Sequence, residues 1–141
     1  ELVMKSRGGN DVKTLGAAGG WIISAINLTK FILAIDGDDS FPDIISKKSV
    51  ATMAVADKKF QPLGWRWVMD GKLWRSGSLA GTTALAVSRS DGYTYVFISN
   101  CSPWKGARFP YIIDRFMDKT LPKIDKVHIN DLFYYGITSN D

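Results

Sequence analysis

Few side chains in this chain could do chemistry, and their spacing restricts what that chemistry would be. His128 has the right ordinary pKa for a general base, but it sits in a polar tail with no serine motif beside it and reads as a surface or core histidine. Cys101 follows a strand end. A thiol nucleophile needs a paired base, so Cys101 reads as a small buried hydrophobe. Asp36, Asp38 and Asp39 cluster at the end of a helical stretch. A calcium loop would also need a distal glutamate, and no Glu follows Glu1, so the three read as capping and solubility residues. One Cys and one His cannot make a Cys/His zinc centre. No G-x-x-x-x-G-K-[ST] loop occurs, and Gly16–Gly20 lacks the preceding strand of a dinucleotide loop. No metal and no cofactor are therefore expected. Trp65-Arg66-Trp67 could stack bases or sugars. Ordinary hairpin packing, with both tryptophans on the buried face and Arg66 on the other, is the favoured reading.

The elements that must position these residues belong to one ordinary domain. With 141 residues, of which 45% are hydrophobic and 12% aromatic, the chain can bury a core. The net charge of +4 comes from basic residues with acids lying between them, so no stripe of phosphate contacts forms and no nucleic-acid partner is expected. No apolar stretch approaches the roughly 20 residues of a membrane span. The chain starts at Glu1 without a leader pattern, which reads as a processed or truncated piece.

Four parts follow along the chain. Residues 1–13 form an N-terminal loop, 14–58 a helical part, 63–119 an antiparallel sheet with a C-terminal helix, and 120–141 a tail. Ser24 is a suitable N-cap, and Ala25, Leu28, Phe31, Ile32 and Ile35 recur at helical spacing before Asp36-Gly37 ends the helix. A shorter helix covers roughly 46–56, with Val50, Met53 and Ala54 inward. Past Pro62 the period becomes two, through Trp65, Trp67 and Met69. Asp70-Gly71 is a hairpin signal; Lys72–Arg75 returns, Leu79–Ser88 follows with a break at Gly81, and Tyr93–Ser99 follows the Ser90-Asp91-Gly92 turn. A last helix covers roughly 109–119, with Pro110 in its first turn, and the tail has an aromatic knot at Phe133-Tyr134-Tyr135. Strands joined by tight turns and then covered by a helix give an α+β class.

One stretch is more specific. Trp74-Arg75-Ser76-Gly77-Ser78-Leu79-Ala80-Gly81-Thr82-Thr83 resembles the W-x-H-[ST]-G-S-L-P-G-T segment of the serine β-lactamase-related, penicillin-binding-protein-like family, which includes class C β-lactamases, DD-peptidases and esterases. Upstream, Ala17-Ala18-Gly19-Gly20-Trp21-Ile22-Ile23-Ser24-Ala25, with Leu28, Phe31 and Gly37, is similar to its A-G-G-W-x-S-S-A segment. Leu63-Gly64-Trp65, Ser90-Asp91-Gly92 and Asn100 resemble further pieces in the family's order, over about residues 14–120.

The resemblance implies a partial β-lactamase/transpeptidase-like fold in which residues 63–119 supply three strands and the C-terminal helix. It implies that Ser76 and Gly77 bind the substrate, that the Ser78 N–H is an oxyanion donor, and that Arg75 replaces the family's Lys or His. Arginine keeps the charge but cannot give up a proton at neutral pH, which favours an electrostatic role. Ser-x-x-Lys and Tyr-x-Asn, which supply nucleophile and proton transfer, are missing from their places. The single Ser-x-x-Lys, Ser102-Pro103-Trp104-Lys105, follows the third element instead of preceding it, so Ser102 reads as a turn or cap residue. The expectation is the C-terminal portion of a peptidase- or esterase-like serine hydrolase, inert alone, whose partner is an acyl, peptide or β-lactam-like small molecule. A periplasmic or extracellular location is what the family implies. The missing strands would leave a sheet edge through which the chain can dimerise. The alternatives are a non-catalytic binding domain of the same fold, or an unrelated α+β module that binds through Trp65-Arg66-Trp67.

Overall fold

Ser24 and Ser46 each cap a helix as their residue type dictates. The computed structural model describes residues 11, 13–57, 60–101 and 103–124. The Ser24 side chain accepts the Asn27 N–H at 3.1 Å and opens α1, Ala25–Leu33. The Ser46 side chain accepts the Ser49 N–H at 3.1 Å and opens α2, Lys47–Ala54. Each such cap contributes about 1 kcal/mol. Gly37, at φ +82°, turns the chain after α1, and an added Cβ there would stand 3.2 Å from Val50 of α2. Asp36 ties this turn to the sheet, accepting from Ser88 Oγ at 3.1 Å and Thr94 Oγ1 at 3.4 Å.

The sheet is antiparallel and has four strands, β1 (Trp67–Met69), β2 (Lys72–Leu79), β3 (Thr82–Arg89) and β4 (Thr94–Ser99), in the order β1-β2-β3-β4. The α+β class holds, with four strands where three were expected. Three is the number that the family resemblance implies; the four extended runs read along the chain each form a strand, and what differs is the Ser76-Gly77-Ser78 stretch. It was expected as a break before a strand starting at Leu79, yet it continues β2, and the reversal falls at Ala80-Gly81. Gly81 supplies the positive φ of +83° that this two-residue turn needs. Asp70 and Gly71, at φ +53° and +71°, make the turn between β1 and β2.

Helices cover both faces of this sheet. On one face Ile32 and Ile35, from α1 and the residues after it, bury against Trp65 and Ala86, with Leu73 and Val96 packed alongside. On the other, α3 (Phe109–Thr120) lies over Trp74, Leu85 and Val87, all fully buried. Trp67 and Tyr111 stack against Trp74 with centroids 5.0 and 4.7 Å away.

Trp65 and Trp67 thus occupy opposite faces, against the expectation of a shared one. The cause is local. The Arg66 N–H donates to the Trp74 carbonyl at 2.8 Å, while the register partner of Trp74 is Trp67. Two residues oppose one, as in a β-bulge, and the alternation of faces slips by one.

Candidate functional site

The Arg75-Ser76-Gly77-Ser78 tetrad lies in the second half of β2. β1 is short and pairs only Lys72, Leu73 and Trp74. Among the described residues, no strand pairs with 75–79 on the side away from β3. The Trp74 carbonyl points toward β1. In an antiparallel strand alternate residues direct their N–H and C=O to the same side. The main-chain groups of Ser76 and Ser78 therefore point out along this bare edge, and those of Arg75 and Gly77 pair inward with Ala86 and Ala84 of β3.

Side chains alternate in the opposite sense. Arg75 and Gly77 share the α1 face with Leu73, and Ser76 shares the α3 face with Trp74. The four residues are brought together through their backbone, with Arg75 and Ser76 on opposite faces. Arg75 is exposed, and no carboxylate among the described residues pairs with it. Gly77 is open on its face: an added Cβ would meet no atom within 4 Å. Beside it runs a groove of about 410 Å³, walled by Leu28, Phe31 and Ile32 of α1, Met53 of α2 and Trp65. A second hollow of about 460 Å³ continues past Gly77 and Ser78 to Trp21, Ile22 and Ile98. The arrangement offers two outward N–H donors, a glycine floor, an apolar wall and one free guanidinium. It can hold a carbonyl or carboxylate beside an apolar group, and no base among the described residues is hydrogen-bonded to the Ser76 or Ser78 hydroxyl.

The other candidates do not join this site. Cys101 is exposed, not buried as expected. Its Sγ lies 2.9 Å from Ser99 Oγ, and its N–H donates to the same oxygen at 3.3 Å. A strand-end turn puts it there, where no core reaches. Ser102, His128, the aromatic knot at Phe133-Tyr134-Tyr135 and the loop over 1–10 lie outside the described residues. Asp38 and Asp39 act locally, as expected. Asp38 accepts the Ser40 N–H at 2.8 Å, and the hydrogen bonding from Ser40 holds its carboxyl below the ordinary carboxylate range. Asp39 pairs with Lys47 at 2.6 Å. Among the described residues no group of three His, Cys, Asp or Glu side chains could hold a metal ion. No helix among them is long and apolar enough to cross a membrane.

Sequence reasoning missed one polar cluster. Lys72 of β2 reaches Asp114 at 3.1 Å and Asp118 at 2.7 Å on α3, Arg89 of β3 reaches Asp118 at 2.5 Å, and Tyr95 of β4 donates to Asp114 at 2.6 Å. Burial, and then the hydrogen bond to Asp114, push the Tyr95 hydroxyl far above its ordinary pKa. The hydrogen bonds from Arg89 hold the Asp91 carboxyl below the ordinary range. The cluster clamps α3 across three strands and borders a hollow of about 720 Å³ that also includes Trp67 and Tyr111. The available signal was the pair Asp114 and Asp118, four residues apart on the side of α3 that carries Pro110 and Leu121 inward.

Compared with known proteins, the chain matches no family model, no curated protein and no solved structure.

Proposed function

We propose that this chain forms the oxyanion side of a β-lactamase-related serine hydrolase, peptidase- or esterase-like, and that it is inert alone because the nucleophile and the Tyr-x-Asn element are missing from it. One observation carries the reading: the Arg75-Ser76-Gly77-Ser78 tetrad lies along the bare edge of β2, beside a groove where nothing stands within 4 Å of the position a Gly77 Cβ would take. An acyl, peptide or β-lactam-like substrate would lie along that edge. Its carbonyl oxygen would accept from the Ser78 N–H, a donor of a type that is worth about 3 kcal/mol when charge develops on such an oxygen. Arg75 would hold a carboxylate and transfer no proton. The same edge offers pairing groups to a second copy of the chain, so a dimer through β2 belongs to this reading.

The test is to titrate the chain with N-acetyl-D-alanyl-D-alanine and follow its amide NMR signals, then to incubate it with benzylpenicillin and measure its intact mass. The expected outcome is a shift of the Ser76 and Ser78 amides, weakened by Arg75→Ala, with no mass adduct. Unmoved amides at millimolar ligand would overturn the substrate assignment, and a covalent adduct would overturn the claim that the chain is inert alone. A second reading, a non-catalytic binding domain of the same fold, is favoured by Arg75 at the family's Lys or His position. It gives the same shifts but no hydrolysis in any longer protein that contains the chain.

A further inference from the structure

The helix α3 sorts its charges by face. Both its acids, Asp114 and Asp118, turn to the sheet and pair with Lys72 and Arg89. Its bases, Arg115 and Lys119, are exposed, as are Arg108 and Lys105 just before it. Arg108, Ile112, Arg115, Phe116 and Lys119 fall at i, i+4, i+7, i+8 and i+11, a spacing that places them on one outward face. None of the four cations has an acidic partner among the described residues. Apolar groups protrude between them: Trp104 is 90% exposed, Phe116 62% and Ile112 40%. Lys105 Nζ sits 4.8 Å from the Trp104 ring centre. A hollow of about 650 Å³ runs between Trp104, Lys105, Arg108 and Arg115.

We propose that this face docks the protein onto a membrane surface that carries anionic lipids. The Trp104 and Phe116 rings enter the boundary between headgroups and acyl chains, and Lys105, Arg108 and Arg115 lie on the lipid phosphates. A helix face with Phe and Ile set among Lys and Arg, and a Trp in the turn just before it, has the composition that lies in this interface. Neither acid of α3 stands on the outward face to repel lipid phosphates, because Asp114 and Asp118 pair with Lys72 and Arg89 beneath it. A nucleic acid would satisfy the cations but has no apolar layer to receive Ile112 and Phe116. The groove beside Gly77 lies on the other face of the sheet, with α1, so docking would leave it open.

The test is flotation of the whole 141-residue chain with vesicles of phosphatidylglycerol and phosphatidylcholine, against vesicles of phosphatidylcholine alone. Binding is expected only with phosphatidylglycerol, with a blue shift of tryptophan emission that Trp104→Ala removes. At about 1 kcal/mol per basic residue near the surface, Arg108→Gln with Arg115→Gln should weaken the partition roughly thirtyfold. Lys47→Gln with Lys48→Gln removes the same charge from α2 and should leave the partition unchanged. Equal weakening by the two pairs, or equal binding to both kinds of vesicle, overturns the proposal. Tighter binding to duplex DNA than to the anionic vesicles overturns it in favour of a nucleic-acid surface.

Discussion

Tyr95 shows how one buried hydroxyl sets a pH limit on the fold. It donates to Asp114 at 2.6 Å, and burial raises its pKa. The folded protein therefore keeps a proton that the unfolded chain releases above about pH 10. That contribution to stability is complete below this pH and is lost as pH rises past it, because the unfolded state then binds fewer protons. Tyr95→Phe should cost about 1–3 kcal/mol at neutral pH, through the hydrogen bond to Asp114 that is lost. It should also flatten the alkaline fall of the melting temperature. A series of melts from neutral to strongly alkaline pH checks both, and parallel curves for the two proteins would assign the alkaline loss to other groups. Gly77 marks the opposite case at this scale, a residue with space and no constraint.

The turns and the bulge decide which residues of an element face where. Gly71 has a φ of +71°, and an added Cβ would overlap Ser90 Oγ and come within 2.8 Å of Ser90 Cβ. Gly71→Ala should therefore destabilise by about 1–3 kcal/mol, from backbone strain and displacement of Ser90. Gly77→Ala has neither cost and should stay neutral or gain about 0.5 kcal/mol by restricting the unfolded chain. Urea unfolding of the two variants side by side tests this contrast. Equal midpoints would mean that the turn between β1 and β2 tolerates a side chain. The bulge at Arg66 belongs to the same scale: it sends Trp65 to the α1 core and Trp67 to the stack on Trp74, so each face receives one large ring.

Across the whole molecule, the sheet is a shared wall between two unlike surfaces. On the α1 side, the bare end of β2 meets an apolar groove. On the α3 side, an ion-pair clamp holds a helix whose outer face is basic and aromatic. The bare β2 edge is an exposed row of donors and acceptors, which strands in other chains can pair with. Light scattering should show a mass that rises toward a dimer with concentration. Ser78→Pro, which removes an outward donor without touching the inward ladder, should keep the chain monomeric. A wild-type mass that stays at one chain over the whole range would rule out pairing through this edge.

Local rules were enough to read the α+β class, the capped starts of α1 and α2, the Asp70-Gly71 and Ser90-Asp91-Gly92 turns and the start of α3 at Phe109. Serine caps, glycines at positive φ and proline in a first turn act within a few residues of themselves. The stretch at 75–78 stood out in the sequence by resemblance alone, and its place inside a continuous β2 was not legible there. Ser-Gly-Ser has weak strand preference, and it is held extended by pairing with Leu85, Ala84 and Thr83 across β3. The opposite faces of Trp65 and Trp67 depended on a bulge that exists only because Arg66 meets Trp74. The clamp on α3 joins residues 42 and 46 positions apart, so only tertiary packing could reveal it. Residue types and their local spacing fix where the chain turns and which helices begin. Which side chains share a face of the sheet follows only from packing, because register and burial depend on partners distant in the chain.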